Sequence, residues 1–261
     1  MIEFSRVLST LEGLLVDRRR VSRPCAFCLQ QQRGHEHGRH PRWGHGDWCE
    51  ACEERIVRNR HACPCCAEPV ASEALSQVAC ARCLRTPPAY QHVYAPLRYE
   101  GLIAGLFQRY KDQHQRRAGL LLRQLMTREL APFCREWLAA RPEAWVILVP
   151  GDSRRRRTRG HEVLVELTRG LRVRERQRGD VVRIRSGHAA DEDQRLRGRR
   201  GRLKAQRGRY DISAPLPESV LLIDDVMTSG ATLDSLAQAC QRAGAREVVA
   251  CVLARTPPGS P

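Results

Sequence analysis

Near the C-terminus the chain reads Val220-Leu-Leu-Ile-Asp224-Asp225-Val226-Met227-Thr228-Ser229-Gly230-Ala231-Thr232. Four consecutive apolar residues, Val220 to Ile223, predict a short strand buried on both faces, as parallel sheets require. Two carboxylates stand at its carboxyl end, and a small, hydroxyl-rich loop then opens a helix over about 231–243 that stops at Gly244. This is a sugar-phosphate site in outline. Loop N–H groups and the positive end of the helix suit a phosphate, while Asp224 and Asp225 suit ribose hydroxyls or a Mg²⁺ near them. An ordinary N-cap accounts for one hydroxyl or one carboxylate, but not for two adjacent acids followed by three hydroxyl residues around a Gly. A Walker loop is excluded, because its Gly–Lys spacing is missing and no Lys follows Gly230.

The stretch resembles the phosphoribosyl pyrophosphate (PRPP) binding signature of type I phosphoribosyltransferases: a hydrophobic strand, two acidic residues, then Thr-(Thr/Ser)-Gly-x-Thr. The resemblance implies that Asp224 and Asp225 are the catalytic-site acids holding the ribose 2′ and 3′ hydroxyls. Val226 and Met227 then lead into a loop, Thr228, Ser229, Gly230, Ala231 and Thr232, that wraps the 5′-phosphate.

With 261 residues the chain holds one α/β domain of ordinary size plus a smaller module. It has no run of eighteen apolar residues, and Met1-Ile-Glu-Phe-Ser-Arg6 does not begin an export signal, so no membrane insertion and a cytoplasmic location are expected. The net charge of +16 is concentrated: between Ser153 and Arg209, 19 Arg and one Lys stand against seven acids. Such a segment favours polyanions, whether a pyrophosphate-bearing sugar or a nucleic-acid backbone. Lys occurs only at 111 and 204, so an Arg-favouring coding bias yields the same count, and charge alone does not separate the two.

Eight of the twelve cysteines form four C-x-x-C pairs: Cys25/Cys28, Cys49/Cys52, Cys63/Cys66 and Cys80/Cys83. Each pair presents two thiolates, and two such knuckles complete a tetrahedral Cys₄ zinc site, so two structural Zn²⁺ ions are expected. Neighbouring knuckles would group Cys25, Cys28, Cys49 and Cys52, then Cys63, Cys66, Cys80 and Cys83; interleaved pairing remains open. Iron–sulfur ligation is the competing metal reading, disfavoured by the regular ribbon-like spacing. Cys65, Cys134, Cys240 and Cys251 read as packing residues, and His35, His37, His40 and His45 as a solvated loop.

The remaining pattern predicts an N-terminal amphipathic helix over 2–17, extended chain over 89–99, and one or two helices over 102–138. A polar interruption falls at 111–117, and Pro132 marks a break or a new start. Strands are expected at 146–149, 181–184 and 248–253, with a helix at 161–171. Strands alternating with helices imply a parallel sheet with ligands at the carboxyl ends, where Pro150 and Asp224 both fall. The expected organisation is a helix (1–20), a zinc-binding double ribbon-like module (21–88) and an α/β domain (89–261).

The whole chain resembles the ComF family, the competence-associated, GntX-type group of phosphoribosyltransferase-like proteins. Cys80-Ala-Arg-Cys-Leu-Arg-Thr-Pro-Pro-Ala-Tyr90 matches its last knuckle and Pro-Pro-aromatic exit, and Tyr99-Glu-Gly101 the start of its catalytic-type domain. Tyr110-Lys111 matches an aromatic-Lys pair, Leu148-Val149-Pro150-Gly151 a pyrophosphate loop, and Arg159-Gly160 an Arg-Gly motif. The chain departs from the family pattern at Gly151-Asp152, at His161-Glu162-Val163 and at Ala205. The resemblance implies a type I phosphoribosyltransferase-like fold, pentosyl transfer from PRPP with Mg²⁺, and Lys111, Val149, Pro150 and Arg159 as further PRPP-binding residues. It also implies a link to DNA uptake. The alternative is a non-catalytic component of the competence machinery that binds single-stranded DNA through the zinc module and the Arg-rich segment.

Overall fold

The structure is a computed structural model of the 261-residue chain, and it describes Cys25, Phe27, Cys28 and residues 48–151, 163–184 and 208–259. The expected N-terminal helix, the four loop histidines, Asp152, Arg159, His161, Glu162 and Ala205 lie outside these residues. The chain divides into two compact units, Met1–Glu54 and Arg55–Pro261. In the first, Phe27 packs edge-on against Trp48 with ring centroids 5.4 Å apart. The Trp48 indole donates to Glu53 on helix α1 (Glu50–Glu54) at 2.6 Å. The division falls inside the 21–88 span, because the chain beyond residue 54 is tied into the sheet unit. Asn59 N–H donates to the Pro96 carbonyl, the Asn59 amide to the carbonyls of Ala67 and Ala95, and Arg98 N–H to the Val57 carbonyl.

Two short helices, α2 (Glu73–Ser76) and α3 (Ala81–Arg85), complete the second cysteine region. The sheet follows. Strands β1 (His92–Tyr94) and β2 (Leu97–Arg98) share one edge of β7 (Glu247–Arg255); beyond β7 lie β6 (Ser219–Met227) and β3 (Trp145–Leu148). Every pairing in it is parallel, with Ile223 opposite both Leu148 and Cys251. The fold is therefore α/β around a parallel sheet, as the alternation implied. Val220 to Ile223 and Ala250 to Ala254 are all fully buried, which explains their unbroken apolar runs.

Helices α4 (Gly101–Lys111) and α5 (Arg116–Ala139) fill the expected helical span, and the polar interruption is the turn around His114. Pro132 is a correction, since it sits inside α5 and starts nothing new. The apolar stripe Leu121, Leu122, Leu125, Met126, Leu130, Cys134 and Trp137 is buried on both sides of it, and that packing outweighs one lost backbone hydrogen bond. Helix α6 (Val163–Thr168) runs into a 3₁₀ turn, Arg169–Leu171. Strand β4 (Val182–Ile184) pairs antiparallel with β5 (Tyr210–Ile212) as a separate ribbon. The sequence reading missed β5, whose three residues put the charged Asp211 between Tyr210 and Ile212 and lack the apolar start, Val181-Val182, that marks β4. Helix α7 (Ala231–Arg242) links β6 to β7. Cys134, Cys240 and Cys251 are fully buried, in α5, α7 and β7. No helix among the described residues is long and apolar enough to cross a membrane.

A mid-helix proline carries a standing cost, so Pro132→Ala should stabilise the protein by about 1–2 kcal/mol after allowing for the stiffer unfolded chain it removes. Chemical denaturation measures this, and a lowered midpoint would show that the ring packs better than the restored hydrogen bond.

Candidate functional site

The structure brings neighbouring knuckles together, not interleaved ones. The sulfurs of Cys25, Cys28, Cys49 and Cys52 lie within 4.8 Å of one another, as do those of Cys63, Cys66, Cys80 and Cys83. Closest pairs are Cys25–Cys52 at 3.8 Å, Cys28–Cys49 at 3.9 Å and Cys66–Cys80 at 3.8 Å. A tetrahedron with Zn–S bonds of about 2.3 Å has edges of about 3.8 Å, so both groups fit zinc. The two are built alike: Cys49 N–H donates to Cys25 Sγ at 3.3 Å, and Cys80 N–H to Cys63 Sγ at 3.2 Å. Burial raises both acceptor thiols, but backbone hydrogen bonds outweigh it and bring Cys25 down to about 6 and Cys63 to about 7. The thiolate is thereby favoured near neutral pH at these two positions, whereas burial first and neighbouring thiols next push Cys52 and Cys83 up, and burial raises Cys66. Cys65 lies outside the foursome, its thiol pushed up by burial.

At the other end of the sheet unit's chain, β6 runs further than its apolar core: Asp224 and Asp225 are inside the strand, which ends at Met227. Val149 and Pro150 follow β3 directly alongside, with Val149 N–H donating to the Ile223 carbonyl at 2.9 Å. Asp225 is buried and receives the Lys111 ammonium at 2.5 Å. That ammonium also sits 4.9 Å from the centre of the Phe107 ring. Lys111, the last residue of α4, is thus brought to the acidic pair from more than a hundred residues away. Asp224 keeps some accessible surface but lies in dense protein and beside the Asp225 charge, and these two effects push its carboxyl up to about 8. A hydrogen bond from the Asp225 N–H and the Lys111 charge only partly offset them.

The loop after β6 is held from behind. Arg255, the last residue of β7, is 1 % exposed. Its Nη1 faces the carbonyls of Met227, Thr228 and Thr256, its Nε donates to the Cys66 carbonyl at 3.1 Å, and its Nη2 pairs with Glu68 at 3.2 Å. Arg82, within the last knuckle, donates to the Ser229 carbonyl at 2.8 Å. Burial alone would lower the Arg82 pKa, but the charge and hydrogen bonding of Cys66 outweigh it and hold the guanidinium protonated. Three successive carbonyls, 227 to 229, therefore point at two guanidinium groups. No described peptide is cis, and a trans peptide sets its N–H opposite its carbonyl. The N–H groups of Thr228, Ser229 and Gly230 consequently face the other way, and none meets a backbone acceptor among the described residues.

Gly230 takes φ +81° as the N-cap of α7, and a β-carbon there would lie 2.5 Å from Met227 Cε and 3.1 Å from the Tyr90 hydroxyl. Ser229 is buried, with its Oγ accepting from Ala231 N–H at 3.3 Å, whereas Thr228 is exposed and Thr232 half-buried. Asp234 in the first turn of α7 accepts from Ala89 N–H at 2.8 Å, anchoring the Pro-Pro-aromatic exit. The arrangement offers N–H groups turned away from the two guanidinium groups, a helix start and two carboxylates within a few residues, suited to an anion beside a polyol or divalent cation. Sequence reasoning missed Arg82 and Arg255; a charged residue closing the apolar run Val248 to Ala254 was the available signal.

No family profile matches the chain. It is 27% identical over 218 residues to the DNA utilization protein YhgH of Escherichia coli O6:H1 (strain CFT073), covering 82% of this chain and 92% of that protein. The figures are the same for YhgH of Shigella flexneri, and for YhgH of Salmonella typhimurium LT2 the identity is 26% over 213 residues. Among solved structures, a purine phosphoribosyltransferase from Pyrococcus horikoshii Ot3 aligns at 15% identity with a TM-score of 0.25, covering 53% of this chain and 82% of that one.

An aspartate in an unfolded chain ionises near pH ~4, whereas Asp224 in the folded protein does so at about 8. Between these values the folded state holds a proton that the unfolded state has released, so this group's contribution to stability falls as pH rises. Asp224→Asn should therefore raise the melting temperature at pH 8, by about 2–4 °C for each kcal/mol relieved, with a smaller gain at pH 5. A gain that does not grow with pH would place the carboxyl in an ordinary environment.

Proposed function

We propose that the chain is a phosphoribosyltransferase-like protein that binds PRPP or another ribose 5-phosphate together with Mg²⁺ and serves DNA utilization, including DNA uptake, in the cytoplasm. The observation that carries the reading is the set of N–H groups at Thr228, Ser229 and Gly230, turned away from Arg82 and Arg255 and three to five residues beyond Asp225. In this reading those groups, with the start of α7, hold the 5′-phosphate, and Thr232 adds a hydroxyl. The two carboxylates take the ribose 2′ and 3′ hydroxyls. Lys111 and the Val149-Pro150 backbone meet the pyrophosphate, and Arg159 joins them from outside the described residues. Carboxylate oxygens are the donors a Mg²⁺ prefers, and bound there it supplies positive charge to the diphosphate. Lys111 pairs with Asp225, so the site already contains one cation at the place where anionic oxygens would lie. In pentosyl transfer the bond between ribose C1 and pyrophosphate breaks, both electrons leave with pyrophosphate, and an acceptor nucleophile supplies the electron pair of the new bond to C1, while the two carboxylates stabilise the electron-poor ribose between these events. The two Cys₄ groups hold structural zinc.

Titration calorimetry with PRPP and Mg²⁺ checks this. Because the ionised form of Asp224 is the one that binds, affinity should rise about tenfold per pH unit below about pH 8 and level off above it, with proton release to the buffer. Absence of binding heat at pH 8.5, or heat unaltered in an Asp224→Ala/Asp225→Ala variant, overturns the assignment.

A second reading is favoured by the similarity to DNA utilization proteins and by the basic segment: a component that binds single-stranded DNA through the zinc module and the Arg-rich stretch. Phosphate contacts release counterions, so affinity for an oligo(dT) strand should fall steeply, by orders of magnitude between about 50 and 200 mM salt. Affinity indifferent to salt would eliminate that reading.

A further inference from the structure

Arg82 and Arg255 each have one end in the second cysteine cluster and the other on the phosphate-type loop. Arg82 is two residues from Cys80 and adjacent to Cys83 in sequence, lies against Cys66, and reaches the Ser229 carbonyl. Arg255 binds the Cys66 carbonyl and Glu68 on one side and the Met227 and Thr228 carbonyls on the other. Glu68 lies 3.2 Å from Arg255 and 4.0 Å from Arg82, so the two cations share one carboxylate. All three Arg255 nitrogens meet acceptors, whereas Arg82 holds the loop through Nη1 alone, its Nε and Nη2 meeting no oxygen acceptor at hydrogen-bond distance among the described residues; removing either guanidinium frees loop carbonyls and leaves the Glu68 charge less compensated. The knuckle backbone and the loop backbone therefore stand or move together.

We infer that the second Cys₄ cluster, when it holds its metal, sets the conformation of the Thr228–Thr232 loop through Arg82 and Arg255, which act as positioning residues for anion binding. The chain of cause is short. Tetrahedral ligation fixes Cys63, Cys66, Cys80 and Cys83; the fixed Cys66 carbonyl and the α3 turn place the two guanidinium groups. Those groups hold the 227 to 229 carbonyls, and trans peptides then turn the three N–H groups outward. Loss of the metal frees the first link, so the loop loses its preorganised donors without any change in its own sequence. Preorganisation of this kind acts on affinity by removing the ordering cost from the binding step. The structural half of the inference stands apart from the proposed function, and only its affinity arm rests on that reading.

The test uses the full chain, zinc-loaded, as wild type, Arg82→Gln, Arg255→Lys and the double variant. Zinc content is measured by elemental analysis, and backbone ¹⁵N relaxation reports order at residues 228–232. Both single variants should keep their zinc. Their loop order parameters should drop from the rigid range near ~0.85 toward ~0.6, with β3 and α5 unaffected. Stripping zinc should loosen the wild-type loop in the same way but add little to the double variant, because the path is already cut. Affinity for PRPP, or for inorganic phosphate as the simplest probe, should weaken about tenfold in Arg82→Gln, which loses one charge-assisted hydrogen bond. Arg82→Gln carries the decision if Arg255→Lys fails to fold. A loop that stays rigid in zinc-loaded Arg82→Gln, or in zinc-stripped wild type, overturns the inference. Loosening as described in a protein that binds neither PRPP nor phosphate supports the coupling while removing the proposed function.

Discussion

A guanidinium buried to 1 % exposure must find acceptors for its donors or the fold does not form, and Arg255 finds them in four backbone carbonyls and one carboxylate. Three of those carbonyls lie at or just beyond the ends of the two long central strands, and one belongs to a cysteine knuckle. The most expensive group in the core is therefore also the point where the cysteine region, the sheet and the candidate loop meet. Local choices around it agree: a Gly at φ +81°, a Tyr packed beneath that Gly, and a second arginine on the next carbonyl.

The acidic pair shows the opposite economy. Two carboxylates in adjacent positions of one strand repel each other, and among the described residues only Asp225 is paired with a cation. Asp225 takes Lys111, while Asp224 is left to hold a proton near neutrality. Stability alone favours a neutral or apolar residue at that position. Retaining an acid in dense protein beside a like charge is a local inconsistency of the sort that functional sites display. The N–H groups of the buried Ser229 and Gly230 are a second inconsistency of the same kind, since buried backbone donors are ordinarily paired and these meet no backbone acceptor among the described residues.

Several parts of this protein were legible because they depend on period and local chemistry. The parallel sheet announced itself in Val220 to Ile223 and Val248 to Leu253, runs that only a strand covered on both faces tolerates. The loop with a Gly between hydroxyl residues, and four knuckles with regular spacing, were readable for the same reason. Other parts were obscure from sequence because they turn on competition. Pro132 reads as a stop until seven buried residues on both sides of it outweigh one missing hydrogen bond. Tyr210–Ile212, with Asp211 at its centre and an Arg-rich stretch before it, shows no apolar run, and its strand is defined by its pairing with Val182–Ile184.

By itself the amino-acid order determined the chemical inventory: eight thiols able to make two tetrahedral sites, twin acids at the end of an apolar strand, and a loop free of bulky side chains. Those features rest on identities and spacings a few residues apart. Which knuckles pair, which acid receives Lys111, and which way the 227 to 229 carbonyls point were decided only in three dimensions. Each depends on contacts between residues tens to nearly two hundred positions apart, such as Cys66 with Arg255. Such contacts are chosen by burial and hydrogen-bond satisfaction across the whole core, and no local pattern encodes them.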